Sequence, residues 1–579
     1  MPGYITVNIH LWKRLLYWSG LLFFVLVAGF CSFYLLSSYT KLTEWYLSLN
    51  GCFYGKDQWT TRFFSPVIKQ AGNMLAAAGI VVSATLGGYT LFRLRRLPTI
   101  KATVSIPLSS RWYIAVVALG IVAGIWSWSM VMPSYDEVFS AVNCAELHPF
   151  QTLAYYMLPN NHIYFNFLNN VLLGWLHHTV ATGRLLSLMA YIGVLLSAYY
   201  WLQKRTGNNV FSFVLLMPVA LQLFTWGMAA QARGYEWQLL CTWGAFISAA
   251  EYIYQRKNYL LTLNLLCCVA GFAFVTTFLH YFVAQCLLLL IVAAIERKGI
   301  VLYLKYAAFI VAIVFLLYLP AFCFSGIPAF TANRYVTPAY SNSMAFLPDL
   351  LDVVRYFINF CFSMLFGEDR APNFILFFLP LALFFFSGRE KKIIAAFYVL
   401  LWMVFILLTL NMRRTPFPRN MILHFSLTMA IVGYTFYLLV HRAAALLSSL
   451  QLKKWVLSLC FVTPVLLYSV YLAYTGKRDL PNNLYYAGVN NIYSCHLAET
   501  SWIPSNSSIG FSEESFLMFY IFRQDHPGAS RCASGKEDYY IKRRDEPMPV
   551  GWELLYDKWK DGSEDYELYK RKPAPQLSH

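Results

Sequence analysis

Long apolar runs, broken by short polar clusters, fill most of the first 475 residues of the chain. A helix needs about 20 apolar residues to cross a hydrocarbon layer of roughly 30 Å. By that measure the pattern predicts thirteen membrane spans, over residues 16–38, 73–92, 112–132, 184–203, 209–226, 236–255, 259–279, 281–296, 302–320, 372–388, 393–411, 421–440 and 454–475. The runs at 209–226 and 281–296 are short for the task. The first run is too long for a secretory signal and no small-x-small cleavage site follows it, so it reads as a retained helix.

The pattern changes at residue 476. Beyond it, aromatic and β-branched residues alternate with turn sequences such as Ser501-Trp502-Ile503-Pro504 and Asp525-His526-Pro527-Gly528. The predicted fold class is an all-α polytopic membrane protein with a small extracytoplasmic C-terminal α/β or α+β domain. Its parts are an N-terminal transmembrane hairpin (1–105), a membrane module (106–475) and the C-terminal domain (476–579). No repeat or low-complexity tract interrupts this plan.

Charge placement orients the spans. Lys13 and Arg14, then Arg93, Arg95, Arg96 and Lys101, then Lys204 and Arg205, Arg256 and Lys257, Arg297 and Lys298, Arg389, Lys391 and Lys392, and Arg442, Lys453 and Lys454 fall in alternate loops. All lie on one side if the N-terminus is cytoplasmic, as the positive-inside rule asks. Thirteen spans then place the C-terminal domain outside. Of 45 basic and 28 acidic residues, 32 and 13 precede Lys477, so the +17 net charge belongs to the membrane part. No soluble basic segment interleaved with aromatics supports a nucleic-acid partner.

Composition agrees with the pattern: 58% of residues are hydrophobic and 13% charged, against about a quarter charged in soluble proteins. Loop composition and the lack of organelle signals point to a bacterial inner membrane. The twelve cysteines show no CxxC pair or metal spacing; Cys495 and Cys532, both in the tail, are candidates for a disulfide.

The acidic residues of the membrane part avoid the middles of the spans. A coupled transporter or proton pump usually places a carboxylate there. Glu251, Glu296 and Glu390 stand beside basic residues at cytoplasmic ends and need no function. Asp136 and Glu137 instead follow the third predicted span at a Pro-marked break, Met132-Pro133-Ser134-Tyr135-Asp136-Glu137. Downstream come His148-Pro149, then Asn160-Asn161-His162-Ile163-Tyr164-Phe165, then an aromatic amphipathic stretch to His178 suited to an interfacial helix. Thr182-Gly183-Arg184-Leu185-Leu186 opens the next span.

This order resembles the GT-C superfamily of membrane glycosyltransferases, in particular the branch of protein O-mannosyltransferases and lipid A aminoarabinose transferases. There an acidic motif follows a span, an Asn-His-Pro-Pro-Leu-Tyr-like element heads an interfacial helix, and an Arg-Leu pair opens the next span. Here the second element is Asn161-His162-Ile163-Tyr164-Phe165, without the family's prolines. Gln231-Ala232-Arg233-Gly234-Tyr235 is similar to the family's Ala-Arg-x-Tyr, and Arg419-Asn420 to its late Arg-Tyr, with Asn420 in place of the aromatic. The resemblance covers roughly residues 112–440.

It implies a sugar moved from a polyprenyl-phosphate donor to an acceptor hydroxyl on the extracytoplasmic face, with inversion. A carboxylate is suited to take the hydroxyl proton. The resemblance implies Asp136 in that role, with an ambiguity of one residue against Glu137, which otherwise orients donor or acceptor. The leaving phosphate asks for arginine, whose planar fork matches it; Arg413, Arg414 and Arg419 are the candidates, with Arg233 and Arg334 behind them. Asn161, His162, Tyr164, Tyr235 and His280 are further candidates for substrate contact. No metal-ligand spacing is visible, so no cofactor is expected; a divalent cation, used by some relatives, stays an open alternative. Partners are the lipid-linked sugar donor, a lipid, glycan or protein acceptor, and membrane lipids. The competing readings are a polysaccharide ligase or polymerase, a flippase or transporter, and a membrane scaffold. In all three Asp136 and Glu137 are dispensable.

Overall fold

The computed structural model describes residues 3–95, 103–108, 110–158, 161–331, 370–412, 418–447, 449–483, 503–531, 535–547, 550–560 and 565–572. Among these, nine helices are long and apolar enough to cross a membrane: Lys13–Leu36, Pro66–Arg95, Arg111–Met130, Thr179–Thr206, Thr276–Glu296, Ile300–Ser325, Arg389–Thr409, Arg419–Ala445 and Gln451–Arg478. The chain is a multi-pass integral membrane protein.

In chain order the principal helices are α1 (Ile9–Leu36), α2 (Tyr39–Leu49), α3 (Pro66–Arg95), α4 (Ser110–Met130), α5 (Tyr135–Ser140), α6 (Pro149–Ala154), α7 (Ile163–Leu176), α8 (Thr179–Thr206) and α9 (Asn209–Leu221). They continue with α10 (Leu223–Met228), α11 (Tyr235–Gln255), α12 (Asn258–Phe274), α13 (Leu279–Glu296), α14 (Ile300–Ser325), α15 (Arg389–Met412), α16 (Ile422–Ala445), α17 (Thr463–Asn483) and α18 (Phe516–Phe522).

Four of the thirteen predicted spans are helical but fall short of that measure. The run 209–226 is broken at Gln222, whose Oε1 accepts from Phe224 N at 3.0 Å and Thr225 N at 2.9 Å. This amide caps a new helix, α10, as side-chain acceptors do at helix starts, so α9 ends after 13 residues. Helix α12 has 17 residues, and Phe374–Phe385 is partly 3-10. Helix α11 has the length but carries buried Glu236, Gln238, Thr242, Ser248 and Glu251 among its apolar residues. The run at 281–296 gains length because the helix starts at Thr276.

Two hydrophobic cores organise the chain. The larger joins α4, α8, α9, α11, α12, α13, α15 and α16, with Trp201, Trp226 and Trp243 fully buried in it. The second draws mainly on four distant stretches: Tyr34, Tyr46 and Trp59 of the N-terminal hairpin, Val138, Phe139 and Tyr155 after the third span, Leu316, Leu319 and Phe324 of α14, and Phe511 and Phe516 of the C-terminal part. On the outside, α1 exposes Trp18, Leu22, Val25 and Leu26, as a lipid-facing helix does.

Strand β1 (Gly3–Asn8) pairs antiparallel with β2 (Thr103–Leu108), so that Asn8, which leads into α1, faces Thr103, and Leu108, which leads into α4, faces Gly3; the sequence pattern does not announce this pair. The C-terminal domain is a five-stranded mixed sheet of β3 (Ile509–Phe511), β4 (Ala529–Arg531), β5 (Tyr539–Arg543), β6 (Trp552–Lys560) and β7 (Asp565–Arg571). Its order is β4-β3-β5-β7-β6, with β3 parallel to β4 and β5 and the remaining pairs antiparallel. Helix α18 is the crossover between β3 and β4. Cys495 and Cys532 lie outside the described residues, as do Arg334, Arg413 and Arg414.

At the end of the bundle away from this domain, ion pairs tie helix ends together. Lys204 meets Glu251 at 2.5 Å and Arg205 meets Glu390 at 2.6 Å, while Arg256 and Arg389 both bind Glu296. All three acids read as idle neighbours of basic residues are thus pinned between helices.

Candidate functional site

The two adjacent carboxylates have different fates. Ser134 caps α5 with a capping box: its hydroxyl accepts from Glu137 N at 3.3 Å, and its N–H donates to Glu137 Oε2 at 3.1 Å. This turns the Glu137 side chain back into the protein. There Arg184, at the second turn of α8, forks onto it, Nε to Oε1 at 2.7 Å and Nη2 to Oε2 at 2.9 Å. Ala232 N donates to Oε1 at 2.8 Å. Both oxygens of Glu137 accept two N–H groups each and the side chain is fully buried. Such a carboxylate has no lone pair left for a substrate proton.

Asp136 points the other way. Its side chain is 20% exposed, and its Oδ2 meets Arg419 Nη1 at 2.8 Å; Arg419 is 18% exposed. Its backbone carbonyl accepts from Arg233 Nη1 at 2.9 Å, a nitrogen that also reaches Ser140 Oγ at 3.2 Å. Arg233 is itself buried, held where Ser187 Oγ donates to its carbonyl at 3.1 Å. Two guanidinium groups therefore flank Asp136, one on its carboxylate and one on its peptide.

His162 closes the group. Gly234 N donates to its Nδ1 at 2.9 Å, and Arg233 Nη2 approaches Nε2 at 3.1 Å. Both ring nitrogens face N–H groups, so an imidazolium would oppose donors on both sides. Burial, reinforced by the charges of Arg233 and Arg419, holds its pKa well below the ordinary range, and the ring is neutral. A Cβ at Gly234 would lie 2.9 Å from His162 Nδ1 and 3.0 Å from the Phe274 carbonyl oxygen, which explains a glycine between Arg233 and Tyr235. Tyr235 packs edge-on to His162, with centroids 4.6 Å apart, and donates to Asn420 Oδ1 at 3.3 Å.

Three other candidates bond to backbone carbonyls. Asn161 bonds the Tyr155 carbonyl and accepts from Asn166 Nδ2 at 2.8 Å. Tyr164 donates to the Leu317 carbonyl on α14 at 2.7 Å. His280 bonds the Thr277 carbonyl at 2.8 Å and faces Phe405 and His424, not the carboxylates. The sequence reading missed the asparagine stripe of α7. Asn166, Asn169 and Asn170 share one face by their spacing, and Asn170 Nδ2 takes the Ala145 and Leu147 carbonyls at 2.6 and 2.7 Å. Among the described residues, no group of three or more His, Cys, Asp or Glu is arranged to hold a metal ion.

This architecture has counterparts among solved structures. ArnT from Cupriavidus metallidurans bound to undecaprenyl phosphate superposes with a TM-score of 0.52 at 12% identity, over 79% of this chain and 98% of that one. The chain is similar in fold to ArnT. That likeness takes in a mostly helical membrane part together with a small C-terminal mixed sheet. ArnT in the apo state aligns at a TM-score of 0.44, with 12% identity over 79% of this chain and 97% of that one. The arabinosyltransferase EmbB from Mycobacterium smegmatis aligns at 0.44, with 12% identity over 72% of this chain and 46% of that one. No family model and no curated protein sequence matches the chain.

Proposed function

We propose that the protein moves a sugar from a polyprenyl-phosphate donor to an acceptor hydroxyl at the end of the bundle that carries the C-terminal domain. The observation that supports this most is the division of labour in the acidic pair: Glu137 fully buried on four N–H groups, Asp136 partly exposed and paired with Arg419. Asp136 takes the acceptor's hydroxyl proton. The oxygen attacks the anomeric carbon, the bond to the phosphate oxygen breaks, and polyprenyl phosphate leaves with inversion at the sugar. Arg419 and Arg233 supply positive charge where negative charge grows on the leaving phosphate. Glu137 is a positioning residue. The undecaprenyl phosphate held by ArnT supports a donor of the same class.

The basic clusters favour a cytoplasmic N-terminus and a site on the extracytoplasmic face, in a bacterial inner membrane. In this reading α9, α11, α12 and Phe374–Phe385 complete thirteen crossings. A flippase must open alternately to both sides; the ion pairs between helix ends opposite the site argue against that rocking.

The test is Asp136→Asn at matched membrane abundance, with the cell's glycolipids, polysaccharides and glycoproteins profiled by mass spectrometry. Loss of one defined sugar mass is expected, and names both sugar and acceptor class. An unchanged profile, where deletion of the gene does remove a glycan, moves the weight to the ligase or flippase readings.

A further inference from the structure

The helix that bears Asp136 has six residues, far too few to hold its own shape. Its surroundings must therefore fix the carboxylate, and much of what touches it comes from the far end of the chain. We infer that the C-terminal domain is a positioning element for Asp136, acting through Phe516, Arg523 and Arg531; this rests on the reading of Asp136 as the base.

Phe516, at the start of α18, packs edge-on to Tyr135 at 5.1 Å and to Phe139 at 5.4 Å between centroids. These two rings flank the acidic pair on either side. The π-helical turn Ala141–Ala145 continues α5, and Arg531 grips it: Nη1 donates to the Val142 carbonyl at 3.1 Å and Nη2 to Asn143 Oδ1. One residue further on, Arg523 forks onto Glu146, at 2.9 and 3.0 Å. Glu146 Oε1 also accepts from Thr179 Oγ1 at 2.5 Å. Thr179 opens α8, which carries Arg184, and Arg184 holds Glu137. The domain thus holds both ends of the acid-bearing segment, once through α5 and once through α8. Forked arginine pairs fix orientation as well as distance, and a shift of about 1 Å at a reacting group costs roughly 100-fold in rate.

The experiment uses the full chain in nanodiscs and native membranes. Two quantities are followed: the rate of formation of the glycan that Asp136→Asn removes, normalised to folded protein, and binding of undecaprenyl phosphate by native mass spectrometry. Arg531→Met and Arg523→Glu are expected to lower the rate roughly 10- to 100-fold with undecaprenyl phosphate binding unchanged, because Arg419 and Arg233 are untouched. The exchanged pair Arg523→Glu with Glu146→Arg restores most of the rate, which a general loss of folding would not allow. Arg531→Lys keeps one donor and falls between. A rate unchanged in folded Arg531→Met protein, with hydrogen exchange in α18 raised, overturns the inference. So does a parallel fall of rate and lipid binding, which marks a purely structural contact. If Asp136→Asn itself removes no glycan, the transferase reading fails first, and the two failures are told apart.

Discussion

Asp136 Oδ2 and Arg419 Nη1 lie 2.8 Å apart, joining the first polar turn after α4 to the residues that lead into α16. The pair is partly open on both sides, so a phosphate entering the site meets Arg419 already engaged with a carboxylate. In the proposed reaction its arrival exchanges one anionic partner of Arg419 for another and leaves Asp136 to the acceptor. A charge-assisted hydrogen bond contributes about 1.5–3 kcal/mol. Arg419→Gln should therefore weaken undecaprenyl phosphate binding roughly 10- to 100-fold. Arg419→Lys, which keeps the charge without the fork, should fall between. Titration of the lipid in nanodiscs reads both.

Glu137 and Asp136 should separate cleanly in stability. Glu137→Gln leaves the buried Arg184 guanidinium without its counter-charge, and breaking a buried pair from one side costs about 3–5 kcal/mol. The melting temperature in detergent should fall markedly for Glu137→Gln and hold for Asp136→Asn. Equal melting temperatures in the two variants would contradict the positioning role of Glu137.

Gly183 allows α8 to approach the loop that feeds Glu137. A Cβ there would stand 2.5 Å from Ala232 Cβ and 3.2 Å from Ala232 Cα, and Ala232 N is one of the four donors to Glu137. Gly183→Ala must push the two segments apart, an overpacking that costs about 1–3 kcal/mol. It should lower both thermal stability and transfer rate, and no compensating substitution at Leu185, which is exposed, should restore them.

His162 gives the fold an acid-side weakness. Its pKa is lowered in the folded chain, while in the unfolded chain it titrates near 6.5. Above that pH both states are neutral and its full contribution is present. As pH falls below about 6.5 the unfolded chain takes up a proton the folded chain refuses, so stability drops by up to about 1.4 kcal/mol per pH unit, until the folded pKa is reached. Melting curves at pH 7.5 and 5.5 should differ less for His162→Gln than for the wild type.

The helices and the motif segments were legible because apolar periodicity and local capping are short-range signals. Ser134-x-x-Glu137 is a capping box readable from the sequence alone, and it already sets Glu137 apart from Asp136. What could not be read is pairing over long separations. Nothing local to Glu137 indicates Arg184, and nothing near Arg419 indicates Asp136. The contacts of Arg523 and Arg531 with residues 142–146 join stretches more than 370 residues apart. The break at Gln222 was hidden because an amide cap inside an apolar run looks like one tolerated polar residue. The stripe Asn166, Asn169 and Asn170 was visible as spacing, but its use, fastening carbonyls of a neighbouring loop, depends on the fold.

The pairing of Gly3–Asn8 with Thr103–Leu108 also has a consequence for how the chain is made. Strand β1 leaves the ribosome before β2 and lacks that partner until two membrane helices and the loop between them have been laid down. Closing a loop of that length carries an entropy cost that grows only slowly with length, but it cannot begin before β2 exists. The clasp therefore cannot close before the first membrane hairpin has been made, but it can close before most of the remaining spans exist.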